Sequence, residues 1–252
     1  MPLEPTPKKR GRLPIDEADV LRAKACWRWV QNRSGLGNPE IEALLTPESV
    51  HRVASKIERP RKWDRYEKGE MCPSDDGTPA GTVGSVELYF PGFRAFYHHP
   101  LWQAISRKEF DLEELIALMR GLRSIEAQLF QLTPLSRAYA GPVLPSDPPK
   151  RRRFDDGVFQ SLCAEKTLDS LAAFILMVRE ATLIGSPEYR ASALQGYRRH
   201  MVWVRYDVVF SPIAAELSDL IDGRFMNHLF ADPNRRLNLR IFTKNLTDEE
   251  LE

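Results

Sequence analysis

From Asp111 to about Leu132, apolar residues return at helical spacing, with Leu115, Ile116, Leu118, Met119, Leu122, Ile125 and Leu129 along one stripe. Asp111, with Glu114 three residues on, has the capping-box pattern that opens such a helix. The same rhythm recurs over most of the chain, while strand-like alternation is confined to Leu237–Ile241, so the sequence predicts an all-α fold. Asp16 is placed to cap a helix carrying Val20, Leu21, Trp27 and Val30 that ends near Ser34–Gly37. Asn38-Pro39 starts a second helix through Leu45, and Thr46-Pro47-Glu48-Ser49 starts a third. Val83, Val86 and Phe90 give a further apolar face, stopped by Pro91-Gly92. The apolar positions of Val158–Ile184, a helix opened by Pro187 and another started by Pro212 predict a C-terminal helical bundle, and Thr247–Glu250 has a last capping-box pattern.

A chain of 252 residues is long enough for one large domain or two small ones. Five prolines and the run Lys150–Arg153 between Thr133 and Asp156 suggest where it divides. The expected organisation is a basic disordered arm over 1–15, a helical domain over 16–135, a linker over 136–156 and a C-terminal helical domain over 157–252. No apolar run approaches the roughly 20 residues needed to cross a bilayer, and the start of the chain lacks the apolar stretch of a secretory signal. Cys26, Cys72 and Cys163 are odd in number and form no close pair, which fits a reducing compartment. A cytoplasmic location is expected, or a nuclear one in a eukaryotic host.

The net charge of +1, from 36 basic and 35 acidic residues, conceals an uneven distribution. Residues 1–74 hold 15 Lys/Arg against 11 Asp/Glu, Lys150–Arg153 adds four more bases, and the remainder is acidic. Such asymmetry points to a polyanion-facing end. Within Val53–Ser74, Trp63 and Tyr66 lie three apart and face the core on a helix, which turns Arg61, Lys62, Asp64, Arg65 and Lys68 outward or to the flanks. Gly69 suits a left-handed cap that stops the helix, and Pro73 blocks its resumption.

Ala54 and Ile57, then Trp63, Tyr66 and Glu67, then Gly69, Pro73 and Ser74, follow a recognisable order. In this order the segment resembles the helix-turn-helix of the lambda-repressor/Cro (XRE) superfamily, over roughly residues 41–92 with its flanking helices. The resemblance implies a first helix ending at Ala54–Ile57, a turn, and a recognition helix whose outer residues enter a major groove. Arg61, Lys62 and Arg65 would then reach bases or phosphates. Arg59, Lys68 and the arm residues Lys9, Arg10 and Arg12 would bind phosphates. A helical hairpin with a solvated basic face is the other reading of the same residues. Lys9-Arg10-Gly11-Arg12 also has the Arg-Gly-Arg core of a minor-groove hook, or serves as a phosphate-touching tail. Lys150–Arg153 reads as a solvated linker, a phosphate contact or a nuclear-localisation run.

No catalytic constellation emerges. His98-His99 has no Cys, His or Asp at the i+3 or i+4 spacing of a metal site, Gly35–Asn38 lacks the rest of a phosphate loop, and no Gly-x-Ser-x-Gly elbow occurs. Phe93, Phe96, Tyr97 and Trp102 could stack bases but read better as core. The sequence therefore predicts a non-enzymatic, double-stranded DNA-binding transcriptional regulator without cofactor or metal. Its C-terminal helices would form a homodimer or bind a protein partner. The alternative is a helical adaptor or scaffold of a larger complex, its basic face turned to an acidic protein or an RNA.

Overall fold

The computed structural model describes residues 15–53, 56–131 and 150–226, and of residues 51–53, 56–57 and 150 the backbone alone. The arm residues Lys9, Arg10 and Arg12, residues 136–149 of the expected linker, Leu237–Ile241 and Thr247–Glu250 lie outside the described residues. The fold is all-α, with four short strands among the described elements. Helix α1 (Glu17–Ser34) opens on Asp16, whose carboxylate accepts from the Ala18 amide, and closes on Gly35 in the left-handed conformation at φ 66°. Helix α2 (Asn38–Leu45) follows with Pro39 in its first turn.

The next segment departs from expectation. Pro47–Ser49 forms one 3₁₀ turn, and His51–Val53 (β1) pairs antiparallel with Lys56–Glu58 (β2), with Val53 opposite Lys56 and His51 opposite Glu58. The helix expected to end at Ala54–Ile57 is thus replaced by a hairpin: Ile57 lies in β2, and Ala54 is outside the described residues. Two local causes favour this. Val53 and Ile57 are β-branched, and Pro60 biases Arg59 away from the helical region.

Helix α3 (Lys62–Lys68) then runs to Gly69, whose φ of 71° and amide bonds to Arg65 and Tyr66 carbonyls complete the expected left-handed cap. Helices α4 (Thr82–Tyr89), α5 (Phe93–Tyr97) and α6 (Pro100–Ala104) follow. The capping box of Asp111 and Glu114 forms as expected. Its helix α7 (Leu112–Arg120) stops early, at Gly121, and gives way to a turn, the single-turn helix α8 (Glu126–Leu129) and the strand Phe130–Gln131 (β3), which pairs with Lys150–Arg151 (β4). The apolar stripe survives the break, because Leu122, Ile125 and Leu129 are still fully buried.

Beyond Asp155, which caps α9 (Asp156–Ala164), the chain forms α10 (Leu168–Leu183), α11 (Pro187–Val204) and, after a 3₁₀ turn at Ser211–Ile213, α12 (Ala214–Phe225). Helices α10 and α11 make the most extensive pairing, and α6 and α7 pack on α10. One apolar cluster accordingly joins Leu101, Leu115 and Leu122 to Leu171, Phe174, Val204 and Leu217, with Ala18, Leu21 and Ala25 of α1. It runs across the expected boundary between 135 and 157. A second cluster, built on Trp27, Trp29, Ile41, Trp63, Tyr66, Val83 and Phe93, holds α1 to α5 together.

Candidate nucleic-acid interface

Helix α3 is held from beneath by α1 and α2. Trp63 and Tyr66 are buried and meet edge to face, with ring centroids 5.4 Å apart. A Cβ at Gly69 would stand 2.5 Å from Val20 Cγ1, so the left-handed cap also permits the close approach of α3 to α1.

The charges of α3 differ in how firmly they are tied to the scaffold. Asn38 Nδ2 donates to Asp64 Oδ1 and Glu67 Oε2, each at 2.9 Å, while Asn38 Oδ1 accepts from Trp27 Nε1. Burial pushes the Asp64 carboxyl up, but hydrogen bonds from Arg59 and Asn38 outweigh it and hold Asp64 below its ordinary value. Asp64 is thereby drawn to the scaffold side, while Glu67, although it accepts from Asn38, stays exposed. Arg61, Lys62, Arg65 and Lys68 remain exposed. Lys62, Arg65 and Lys68 follow one another at intervals of three and lie along one side of the helix, while Arg61, left-handed at φ 55° just before it, stands outside that period. Among the described residues Arg61, Lys62 and Lys68 form no salt bridge, and Arg65 has only a loose one, to Glu70 at 3.8 Å.

Arg59 takes a different place from the one expected of a phosphate contact. Its guanidinium donates to Glu42 Oε2 at 2.9 Å and to Asp64 Oδ2 at 2.6 Å, and Glu42, almost fully buried, also accepts from the Trp63 amide. Arg59 is a scaffold residue that ties β2 to α2 and α3. The sequence carries one sign of this, a glutamate inside the apolar run Ile41–Leu45, but its partner follows 17 residues later.

The remaining candidates are spread over the scaffold and its surface. Arg151 donates to the Leu129 carbonyl, Glu180 and Tyr189 and packs against β3 and α10, and Arg152 donates to the Phe130 carbonyl, while Arg152 and Arg153 stay exposed. His98 and His99 serve separate carboxylates, Asp75 at 2.6 Å and Asp169 at 2.8 Å. Asp169 also accepts from the amide and hydroxyl of Ser124, which fixes the turn after α7 to the start of α10. Phe93, Tyr97 and Trp102 are buried, and Phe96 packs between Trp29, Trp102 and Phe210.

One Ser–His contact escapes sequence reasoning: Ser170 Oγ lies 2.8 Å from His200 Nε2. Both residues are buried, and the Ser170 hydroxyl also donates to the Thr167 carbonyl within the N-terminal box of α10. That geometry closes a helix end and gives a substrate no approach to the hydroxyl. The thiol of Cys26 is likewise sealed, and burial pushes it well above its ordinary value. Compared with known proteins, the chain matches no family model, no curated protein and no solved structure.

Proposed function

We propose that the protein binds double-stranded DNA through the outer side of α3 and acts as a transcriptional regulator. The observation that carries this reading is the exposed cation set on α3: Lys62, Arg65 and Lys68, with Arg61 just before them, stand exposed, while Asp64 is held by Asn38 and Arg59 and the exposed Glu67 by Asn38. A short helix braced by two others and carrying its cations on the free side suits a major groove about 12 Å wide. The hairpin before α3 separates this arrangement from the family resemblance in the sequence, so DNA binding here rests on α3 and its support. Exposed Val202, Tyr206 and Val208, at the end of α11 and just beyond, are the surface through which the C-terminal helices would meet a second copy.

That same patch favours a second reading, a helical adaptor for a protein partner. The two are separated by equilibrium competition with a fluorescent mixed-sequence duplex at about 50 mM salt, a concentration at which phosphate contacts are strong. The DNA reading predicts binding that unlabelled duplex displaces far better than poly-glutamate of equal charge. The adaptor reading predicts no retention of the duplex, or equal displacement by both polyanions. Sedimentation of the full chain tests the dimer, which a monomer at micromolar concentration would exclude.

A further inference from the structure

We propose that the junction of α10 and α11 binds a small zwitterion of amino-acid type, a site that stands apart from the DNA reading of α3. A cavity of about 540 Å³ opens there, within the ~300–1,000 Å³ usual for small-molecule sites. Three arginines and four carboxylates line it, so the cavity offers both signs of charge. The first observation is Glu180, in the last turn of α10, whose side chain is only 9% exposed. Its Oε2 accepts from Arg151 Nη2 at 3.1 Å and from the Tyr189 hydroxyl, which itself accepts from Arg151 Nη2 at 3.0 Å. The carboxylate is thereby fixed in place, yet among the described residues its Oε1 has no hydrogen-bond partner. A buried carboxylate oxygen left open beside a cavity calls for a donor, and an ammonium group supplies a charge-assisted one.

The second observation is the positive part of the same lining. Only Ile184–Ser186 separate the end of α10 from the start of α11, and Ser186 makes no side-chain bond to the first amides of α11. The positive end of the α11 dipole is therefore uncapped and lies next to the negative end of α10. Arg151 is committed to Glu180, and Arg152 donates to the Phe130 carbonyl. Arg153 is exposed and forms no salt bridge among the described residues. An anionic group meets Arg153 and the start of α11, both on the cavity wall, while an ammonium group meets Glu180. Ile184, 56% exposed on the same wall, gives an apolar side chain a place to pack. A plain anion would leave Glu180 Oε1 unpaired, and a plain amine would leave Arg153 so.

The test is thermal melting of the full chain with each of the standard amino acids at roughly 10 mM, followed by calorimetric titration of those that act. At least one is expected to raise the melting temperature by about 3 °C or more. For that amino acid, the analogue lacking the amine and the analogue lacking the carboxylate should each bind at least about tenfold more weakly. The first of these tests Glu180 without altering a buried residue. Arg153→Gln, a change at an exposed position, should melt like the parent and bind the amino acid at least about fivefold more weakly. A chain that no amino acid stabilises overturns the proposal, as does equal binding of either analogue or parent-like affinity in Arg153→Gln. Duplex affinity is read separately, and its failure leaves this site standing.

Discussion

At Gly196 the absence of a side chain is what lets α11 cross α10. A Cβ there would fall 2.1 Å from Phe174 Cε1, inside a core where Phe174 is fully buried and tilted against His200. Gly196→Ala should therefore destabilise by roughly 1–3 kcal/mol through overpacking, although alanine is the better helix former. Urea denaturation would register it, and an unchanged midpoint would mean that the crossing is looser than described. His200 itself titrates unfavourably. Burial holds its imidazole below the ordinary value of 6.5, so the unfolded chain takes up this proton before the folded one does. Stability from His200 is thus intact above 6.5 and declines as the pH falls from there towards the folded value. His200→Gln should lose less melting temperature than the parent between about pH 7 and pH 5. Equal losses in both proteins would show that His200 charges as freely in the fold as outside it.

Helix α3 is too short to persist alone, and its seven residues depend on what lies beneath them. Removing Glu42 would leave Arg59 with one partner and the Trp63 amide with none. Glu42→Ala is accordingly expected to cost about 3 kcal/mol and to weaken duplex binding, although Glu42 carries the wrong charge to touch DNA. Denaturant melts and duplex titration of this variant check both halves, and tighter binding from the loss of a negative charge would argue against the bracing role. Legibility in the sequence divides along the same line. The caps of α1 and α7, the left-handed Gly69 and the inward Trp63 and Tyr66 follow from residues within one or two turns of each other. The hairpin does not, because strands of three residues give no alternation to count, and Val53–Ile57 fits a helix as well on paper. Arg59 could not be assigned either, since a basic residue beside a basic helix reads as part of its face until Glu42 is placed in space. The exposed set on α3 was legible; which member had been withdrawn from it was not.

For the whole molecule, the decisive feature is that the larger core draws on both sides of the segment between Gln131 and Lys150. Arg179 of α10 donates to the carbonyls of Ala104, Ser106 and Lys108, and Arg224 of α12 pairs with Asp16 and Glu17 at the start of α1. A fragment ending at residue 135 would expose the faces of α6 and α7 that α10 covers. It should lack a cooperative melt by circular dichroism, whereas a sharp transition would show that the first half folds alone and that the shared core is dispensable. The near-zero net charge is partitioned in the same architecture: Lys24 is held by Glu216 of α12, and the cations of α3 are left outside. That partition is the central claim, and the salt dependence of duplex affinity tests it most directly. The account predicts steep weakening of parent-chain binding as salt rises, with Arg65→Ala/Lys68→Ala weaker at low salt and shallower in log–log slope by about 2. Binding that ignores salt, or a double variant with the parent slope, would contradict it.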